Sequence, residues 1–249
     1  MYKEHAKYLK DIDKERVRKI IVPSSMSKDV LKGIRPDLAD NSFILRNFVI
    51  EYQKENEAAN NGIHLPEWNM IPIVWLGRID ELKNTYFTIK GLKAYKKAFG
   101  DGIFFCCVGH SLEEKKFVKF IKKENMESRV VWFPDIGFGE TMVFLREIKK
   151  RKAVFVSSSK AESFGMSVAE ALFCGLPVLV SNIPSHSFLV SHYDDFLFGL
   201  GNTDDFISKL NNIVNNYNYY SRKAFEMGRK LSEKSFLDGW ERFCEEMGL

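Results

Sequence analysis

Residues 153–180 read Ala153-Val-Phe-Val-Ser157-Ser-Ser-Lys-Ala-Glu162-Ser-Phe-Gly165-Met-Ser-Val-Ala-Glu170-Ala-Leu-Phe-Cys174-Gly-Leu-Pro-Val-Leu-Val180. An apolar run leads through a loop of small residues into a helical sequence, and a second apolar run follows. The free amides and the dipole at a helix start attract anions, and a glycine lets the backbone approach a phosphate closely. Because carboxylates repel phosphate, the natural partners of Glu162 and Glu170 are hydroxyl groups. The segment is therefore suited to a sugar nucleotide.

Short apolar runs of the same kind recur along the chain, and longer amphipathic stretches separate most of them. This alternation is typical of an α/β fold with a parallel sheet. The runs are continuously apolar, as expected for strands that helices cover on both faces. We predict a Rossmann-like parallel sheet whose strands include Ile20-Pro23, Phe43-Leu45, Ile71-Leu76, Ile103-Val108, Val130-Phe133, Ala153-Val156 and Pro177-Val180.

The same pattern divides the chain into four segments. Residues 1–50 hold two helices and two strands, too few to close a domain. The polar stretch from Glu51 to Asn61, which closes with Asn60-Asn-Gly62, predicts a linker or loop over residues 51–69. Residues 70–202 hold five strands and form the compact Rossmann-like unit. Residues 203–249 are predicted to be helices, broken near residues 216–220.

The composition narrows the class of protein. With 45% hydrophobic residues among 249, the chain can bury a large core. Its net charge of +4 does not demand a nucleic-acid partner. The cysteines match neither a disulfide framework nor metal-ligand spacing. This pattern favours a location in the reducing cytoplasm. The sequence lacks a run long enough to span a bilayer and a signal-peptide pattern at its N-terminus. The four cysteines are Cys106, Cys107, Cys174 and Cys244.

Peripheral contact with the inner face of a membrane stays open. The segment from Tyr2 to Lys19 has apolar residues at roughly helical spacing, among seven basic and four acidic side chains. Because its charges are mixed, we favour an ordinary solvated helix over a helix that lies on a membrane surface.

Glu162 and Glu170 are separated by seven residues, and Ala171-Leu-Phe-Cys-Gly-Leu-Pro-Val follows them. The segment resembles the E-x7-E signature of the large retaining GT-B glycosyltransferase family often called family 4, or glycosyl transferases group 1. The resemblance implies that Glu162 contacts hydroxyls of the donor sugar and that Glu170 holds the ribose. It also implies that the amides between them bind the diphosphate. Two structural interpretations remain for the residues taken alone: Ser167-x-x-Glu170 fits a helix capping box, and Glu162 fits a solvated loop acid.

A second motif, Val74-Trp-Leu-Gly77-Arg78-Ile-Asp-Glu-Leu-Lys83-Asn84, resembles the loop after the first strand of the family's C-terminal domain. The resemblance implies that Arg78 and Lys83 meet the diphosphate, since fixed cations can stabilise the charge of a departing phosphate. Taken alone, these two cations would be better explained as surface ion pairs. The implied catalytic residues are Glu162, Arg78 and Lys83, and the implied donor-binding residues are Gly77, Ser163, Phe164, Gly165, Met166, Ser167 and Glu170.

Several details depart from the family pattern or stay open. No Asp-x-Asp motif lies beside the donor loops, so we expect no metal ion and no cofactor besides the nucleotide-sugar substrate. Ser111 stands where a second glycine is common, and Ile183-Pro-Ser-His-Ser-Phe-Leu-Val lacks a usual glutamate. The base and sugar pockets are therefore expected to be atypical. His110 fits a strand-end loop residue, and His186 is a weaker candidate for approaching the donor.

Residues 1–50 resemble the end of the family's N-terminal domain and the connector that follows it. The rest of that domain has no counterpart, so the chain resembles the C-terminal, donor-binding half of the enzyme. The resemblance implies retaining transfer from a nucleoside-diphosphate sugar to a saccharide or lipid-linked acceptor, in cell-surface polysaccharide or glycoconjugate synthesis. Two alternatives remain: a partner chain or a homodimer supplies the acceptor domain, or the chain is a truncated or non-catalytic sugar-nucleotide-binding module.

Overall fold

A computed structural model describes residues 9–50, 66–67 and 69–249. The chain divides into two compact units, one formed by residues 1–48 and 231–249 and the other by residues 49–230. Most of the predicted linker, 51–69, lies outside the described residues. In chain order the helices and strands are β1 (Ile20–Val22), α1 (Ser25–Ile34), α2 (Pro36–Ala39), β2 (Ser42–Ile44), β3 (Ile71–Leu76), α3 (Thr85–Phe99), β4 (Ile103–Val108), α4 (Glu114–Lys123), β5 (Val130–Phe133), α5 (Thr141–Lys149), β6 (Val154–Ser157), α6 (Met166–Phe173), β7 (Val178–Ser181), α7 (Pro184–Leu189), β8 (Leu197–Phe198), α8 (Thr203–Asn215), α9 (Tyr217–Gly228) and α10 (Glu233–Met247).

The larger unit is built on a parallel sheet of six strands in the order β5-β4-β3-β6-β7-β8. The central strands are buried along their whole length because helices cover the sheet, as the continuous apolar runs predict. The α/β Rossmann-like fold is confirmed, and the seven predicted strands occur within about one residue of their predicted ends. The two-residue strand β8 escaped prediction because it is too short to give a pattern.

The strand order reverses at the centre of this sheet. From β3 the chain proceeds outward to β4 and β5, and it then returns to place β6 on the other side of β3. In open α/β sheets, ligands bind in the crevice at the carboxyl ends of the two strands that flank such a reversal. The loops after β3 and β6 are therefore the expected binding loops, and they carry both quoted motifs.

Close backbone contact fixes the edge of the sheet next to this crevice. A Cβ atom on Gly109 would lie 1.7 Å from the carbonyl oxygen of Gly77, so the loops after β3 and β4 touch where only glycine fits. The indole of Trp132 on β5 donates a hydrogen bond of 2.8 Å to the carbonyl of Gly109. Gly77, the glycine after β3, is thus held in place by Gly109 after β4, which Trp132 on β5 holds in turn.

The smaller unit contains a two-stranded parallel sheet, β1 and β2, and the helices α1, α2 and α10. Val22, Leu31, Leu38 and Ala39 form its buried cluster. The ring of Phe243 on α10 packs edge-on against Phe43 at a centroid distance of 5.3 Å. The helices of the predicted tail, 203–249, are therefore divided between the two units.

Of two predictions about local structure, one was wrong and one is confirmed. The segment from Tyr2 to Lys19 is not one helix where the structure describes it, because residues 14–16 form a short 3-10 turn and β1 begins at Ile20. The predicted break near residues 216–220 is confirmed and lies at Asn216, since α8 ends at Asn215 and α9 begins at Tyr217. Among the described residues, no helix is both long and apolar enough to cross a bilayer.

The contact between α6 and α9 yields a stability prediction. A Cβ atom on Gly228 would lie 2.3 Å from the carbonyl oxygen of Leu172, so Gly228→Ala must push α9 away from α6. We expect a loss of roughly 1–3 kcal/mol in the free energy of unfolding, measured by urea denaturation. Gly102→Ala is the matched control, because nothing lies within 4 Å of its Cβ position. A Gly228→Ala variant as stable as this control would contradict the packing.

Candidate functional site

The loops after β3 and β6 are fastened to each other by hydrogen bonds. The amide of Lys160 donates to the carbonyl of Leu82 at 2.8 Å. The buried hydroxyl of Ser158 donates to the carbonyl of Asn84 at 2.8 Å and lies 2.8 Å from the hydroxyl of Thr88. These bonds fix the start of α3 beside the β6 loop, so the two quoted motifs lie next to each other in one site.

An ion pair joins the two motifs at the centre of this place. Lys83 Nζ lies 2.5 Å from Glu162 Oε1, and the two side chains are only 19% and 13% exposed. Ser159 Oγ donates to the same carboxylate oxygen at 2.8 Å. The interpretation of Glu162 as a solvated loop acid is therefore wrong, because tertiary folding brings a lysine from 79 residues away to its side chain.

Arg78 lies in the same loop as Lys83 but in a different environment. Its side chain is 74% exposed, and its guanidinium is 3.4 Å from the carboxylate of Asp80. Surface ion pairs of this kind contribute little to stability, so Arg78 can reorient at small cost. The structure thus separates a fixed cation, Lys83, from an exposed one.

The start of α6 is suited to an anion. Gly165 is the N-cap with φ 97, a conformation that favours glycine, and no side chain caps the helix. The amides of Phe164, Gly165 and Ser167 have no hydrogen-bond partner among the described residues. The first turn holds no acidic residue, so the positive end of the helix dipole stays uncompensated.

The capping-box interpretation of Ser167 and Glu170 is wrong. The helix begins at Met166, which makes Ser167 its second residue and not its cap. Glu170 then lies too far into the helix to reach back to an N-cap amide. The left-handed turn at Gly165 takes the place of a side-chain cap.

Glu170 is a carboxyl group without a partner. Its side chain makes no hydrogen bond or ion pair with any described residue, and it is mostly buried. Burial raises the pKa of Glu170 to about 7, because the charged carboxylate is poorly solvated there. Such a group gains most from a ligand that donates hydrogen bonds to it, as hydroxyls do.

His186 is fully buried beneath the start of α6. Its Nδ1 lies 3.0 Å from the carbonyl oxygen of Ser181, so Nδ1 carries the proton. Its Nε2 has no partner among the described residues and lies 3.8 Å from the Cβ position of Gly165. Burial lowers the pKa of His186 to about 4, so the ring is neutral near pH 7.

A chain of serines connects this histidine with the ion pair. Ser181 Oγ donates to the carbonyl of Ser159 at 2.5 Å and lies 3.2 Å from His186 Nδ1. Ser159 Oγ in turn donates to Glu162. The sequence signal for these bonds is the run of three hydroxyls, Ser157-Ser-Ser, at a strand end, which a description of the loop as small residues does not capture.

The site residues predicted from the sequence all lie on the loops after β3 and β6 or on α6. Gly77, Arg78 and Lys83 belong to the first loop, and residues 162–165 belong to the second. Met166 and Ser167 open α6, and the Met166 side chain is 38% exposed. Within the described part of the chain, no three His, Cys, Asp or Glu side chains are grouped as a metal site would require.

The chain matches known proteins in sequence. The family model described as "Glycosyl transferases group 1" matches residues 67–231. The O-antigen biosynthesis glycosyltransferase WclY of Escherichia coli is 25% identical over 163 residues, which are 66% of this chain and 39% of WclY.

The fold also matches solved glycosyltransferase structures. S. aureus TarM superposes with a TM-score of 0.74 at 22% identity, over 96% of this chain and 46% of TarM. Anabaena HepE, solved with UDP and glucose, superposes with a TM-score of 0.74 at 16% identity, over 98% of this chain and 67% of HepE. The chain thus spans less than half the length of WclY and of TarM. Since the family model covers more than half of the chain, this protein belongs to the glycosyl transferases group 1 family and has its GT-B type of Rossmann-like fold.

Proposed function

We propose that this chain binds the ribose and diphosphate of a nucleoside-diphosphate sugar and serves the retaining transfer of that sugar to a saccharide or lipid-linked acceptor. The observation that carries the proposal is the Lys83–Glu162 pair beside the uncapped start of α6. It places a cation, free amides and a carboxylate together at the reversal of strand order. These groups match a phosphate and the hydroxyls of a sugar.

The proposed chemistry uses the protein's own charges. Cleavage of the bond between the sugar and the diphosphate leaves additional negative charge on the departing phosphate. Lys83, Arg78 and the amides at the start of α6 stabilise that charge, so no metal ion is required. The acceptor hydroxyl attacks from the face that the diphosphate leaves, and the leaving phosphate takes up its proton.

Glu162 has two partners in this scheme. In the structure its carboxylate pairs with Lys83 at 2.5 Å. When donor hydroxyls bind Glu162, Lys83 is shared with the diphosphate. Glu170 accepts hydrogen bonds from the ribose hydroxyls, and these hydroxyls supply the partner that Glu170 lacks. Each carboxylate thus meets hydroxyls, and each cation meets phosphate.

The relatives indicate the donor and the process to test first. TarM was solved with UDP and alpha-GlcNAc-glycerol, and HepE with UDP and glucose. WclY is an O-antigen biosynthesis glycosyltransferase. UDP is therefore the first nucleotide to test, and we propose a cytoplasmic role in cell-surface polysaccharide or glycoconjugate synthesis.

Transfer also requires an acceptor surface. Because the chain covers 46% of TarM, we propose that a further region, a partner chain or a second copy completes the site. The alternative is a binding module without transfer activity. Release of UDP from a UDP-sugar, with or without a saccharide acceptor, distinguishes a transferase from such a module.

Binding of UDP should depend on Arg78. Because Arg78 is exposed and only loosely paired, Arg78→Ala should fold normally and lower the affinity for UDP about tenfold or more, as measured by calorimetry. Arg222→Ala removes the same charge from an exposed position outside the site and should not change the affinity. Excess EDTA should leave binding intact. The proposal fails if UDP, GDP and ADP all leave the wild-type protein without thermal stabilisation.

Glu170 makes stability depend on pH in a predictable direction. Its pKa is raised from 4.5 to about 7, so between these values the folded protein keeps a proton that the unfolded chain has lost. The contribution of Glu170 to stability therefore falls as pH rises through this window. At pH 8, Glu170→Gln should be more stable than wild type by up to about 3 kcal/mol. Near pH 4 the difference should vanish in urea denaturation; a constant difference at all pH values would argue against the raised pKa.

Ser159 should act on the sugar through Glu162. Ser159→Ala removes one of the two bonds that hold the Glu162 carboxylate, so the affinity for UDP-glucose or UDP-GlcNAc should fall roughly fivefold. The affinity for UDP alone should not change, because UDP lacks the donor sugar whose hydroxyls would bind Glu162. Ser185→Ala is the control, since the buried Ser185 hydroxyl has no partner among the described residues. An equal loss for UDP and UDP-sugar would show a general structural defect instead.

A further inference from the structure

The positive charge of this protein is concentrated in one segment. Residues 85–129, from α3 to the turn before β5, contain ten basic and five acidic side chains, a surplus of five. The whole chain has 37 basic and 33 acidic residues, a surplus of four. The remaining residues therefore carry a small net negative charge.

The two helices of this segment form one continuous surface. Lys93 on α3 pairs with Glu124, which caps the end of α4, at 3.0 Å. The ring of Tyr86 packs edge-on against Phe120 at a centroid distance of 4.6 Å. The ammonium group of Lys90 lies 5.9 Å from the centre of the Phe120 ring. Lysines of both helices are thus presented side by side.

The outer side of α4 combines lysines with exposed apolar side chains. Phe117 and Ile121 are buried and attach the helix to the core. On the other side, Lys115, Lys119 and Lys122 follow the spacing of one helix face, with Val118 between them at 39% exposure. Leu112, in the turn before α4, is 93% exposed. We name this set the lysine face: Leu112, Lys115, Val118, Lys119 and Lys122.

The lysines of the lysine face form no ion pair with the part of the protein that the structure describes. Within the described residues, no ion pair involves Lys115, Lys119 or Lys122, nor the neighbouring Lys90, Lys97 or Lys123. Lysine ammonium groups of this density attract a surface of opposite charge.

We propose that the lysine face binds the surface of an anionic lipid bilayer. Charge complementarity selects an anionic partner, because clustered lysines on an amphipathic helix gain affinity from anionic headgroups. Leu112 and Val118 select a bilayer over a water-soluble polyanion, since exposed aliphatic side chains gain by entering the boundary between headgroups and acyl chains. The segment from Tyr2 to Lys19, for which the sequence favours an ordinary solvated helix, is not part of this contact.

The helix that carries the lysine face, α4, borders the loop after β3. Lys116, at the start of α4, interacts electrostatically with Glu81 in the loop after β3. Glu81 in turn pairs with Lys160 of the β6 loop at 3.1 Å. A bilayer bound at α4 would therefore lie beside the donor loops. The further idea that this position serves a lipid-linked acceptor rests on the proposed function. The binding of α4 to a bilayer does not depend on that function.

The test is sedimentation of the full chain with lipid vesicles. Vesicles that contain phosphatidylglycerol should carry the wild-type protein down, vesicles of phosphatidylcholine alone should not, and high salt should release it. The triple change Lys115→Glu, Lys119→Glu and Lys122→Glu should lower partitioning at least roughly 100-fold. Leu112→Ser should lower it several-fold without a change in net charge.

A matched variant controls for total charge. Lys32→Glu, Lys230→Glu and Lys234→Glu alter exposed lysines outside α3 and α4 by the same total charge and should sediment as wild type does. Equal loss in both triple variants would overturn the proposal, as would binding to neutral vesicles or binding to DNA without binding to vesicles. UDP stabilisation, measured on the same samples, should persist in both variants; its absence in wild type would refute the donor site and leave the membrane result standing.

Discussion

The ion pair between Lys83 and Glu162 joins the two halves of the sheet's crevice, and the surrounding loops are arranged to keep it. Both side chains are more than four-fifths buried, so each charge has lost much of its hydration. A pair of this kind is tolerated only when further hydrogen bonds satisfy its atoms. Ser159 supplies one, and the backbone bond between Lys160 and Leu82 holds the loops at the required separation.

The balance of charge around this pair favours a negatively charged ligand. The start of α6 contributes the positive end of a dipole without any acidic residue in its first turn. Neutral His186 lies beneath it, where a protonated ring would repel Lys83. Glu170, whose pKa is raised by burial, is largely protonated below pH 7 and adds little negative charge. A phosphate bound in the crevice would therefore meet little negative charge.

Glycine positions make this arrangement sterically feasible. Gly77 and Gly109 let two strand ends touch, Gly165 takes the left-handed turn that opens α6, and Gly228 brings α9 against the end of α6. At each position the backbone of one element occupies the space where a side chain would be, or the φ angle favours glycine. The helix that presents the proposed phosphate site thus begins at a left-handed glycine packed against Leu189 and His186, and its other end is in backbone contact with α9.

The sequence by itself determined the fold class, the seven longer strands and the two loops that carry the site. Continuous apolar runs indicate burial on both faces of the sheet, and this signal is local, so the sequence alone carries it. The two sequence motifs also predict Glu162, Glu170, Arg78 and Lys83 as site residues. Only the tertiary structure decided that Lys83 and Glu162 are bonded, that Glu170 has no partner and that α6 lacks a capping box. These properties depend on side chains far apart in the chain and on the exact φ angle at Gly165, neither of which a local pattern encodes. The division of the tail between two units and the joining of α3 and α4 into one charged surface follow from the same cause, because packing partners are set by three-dimensional contact.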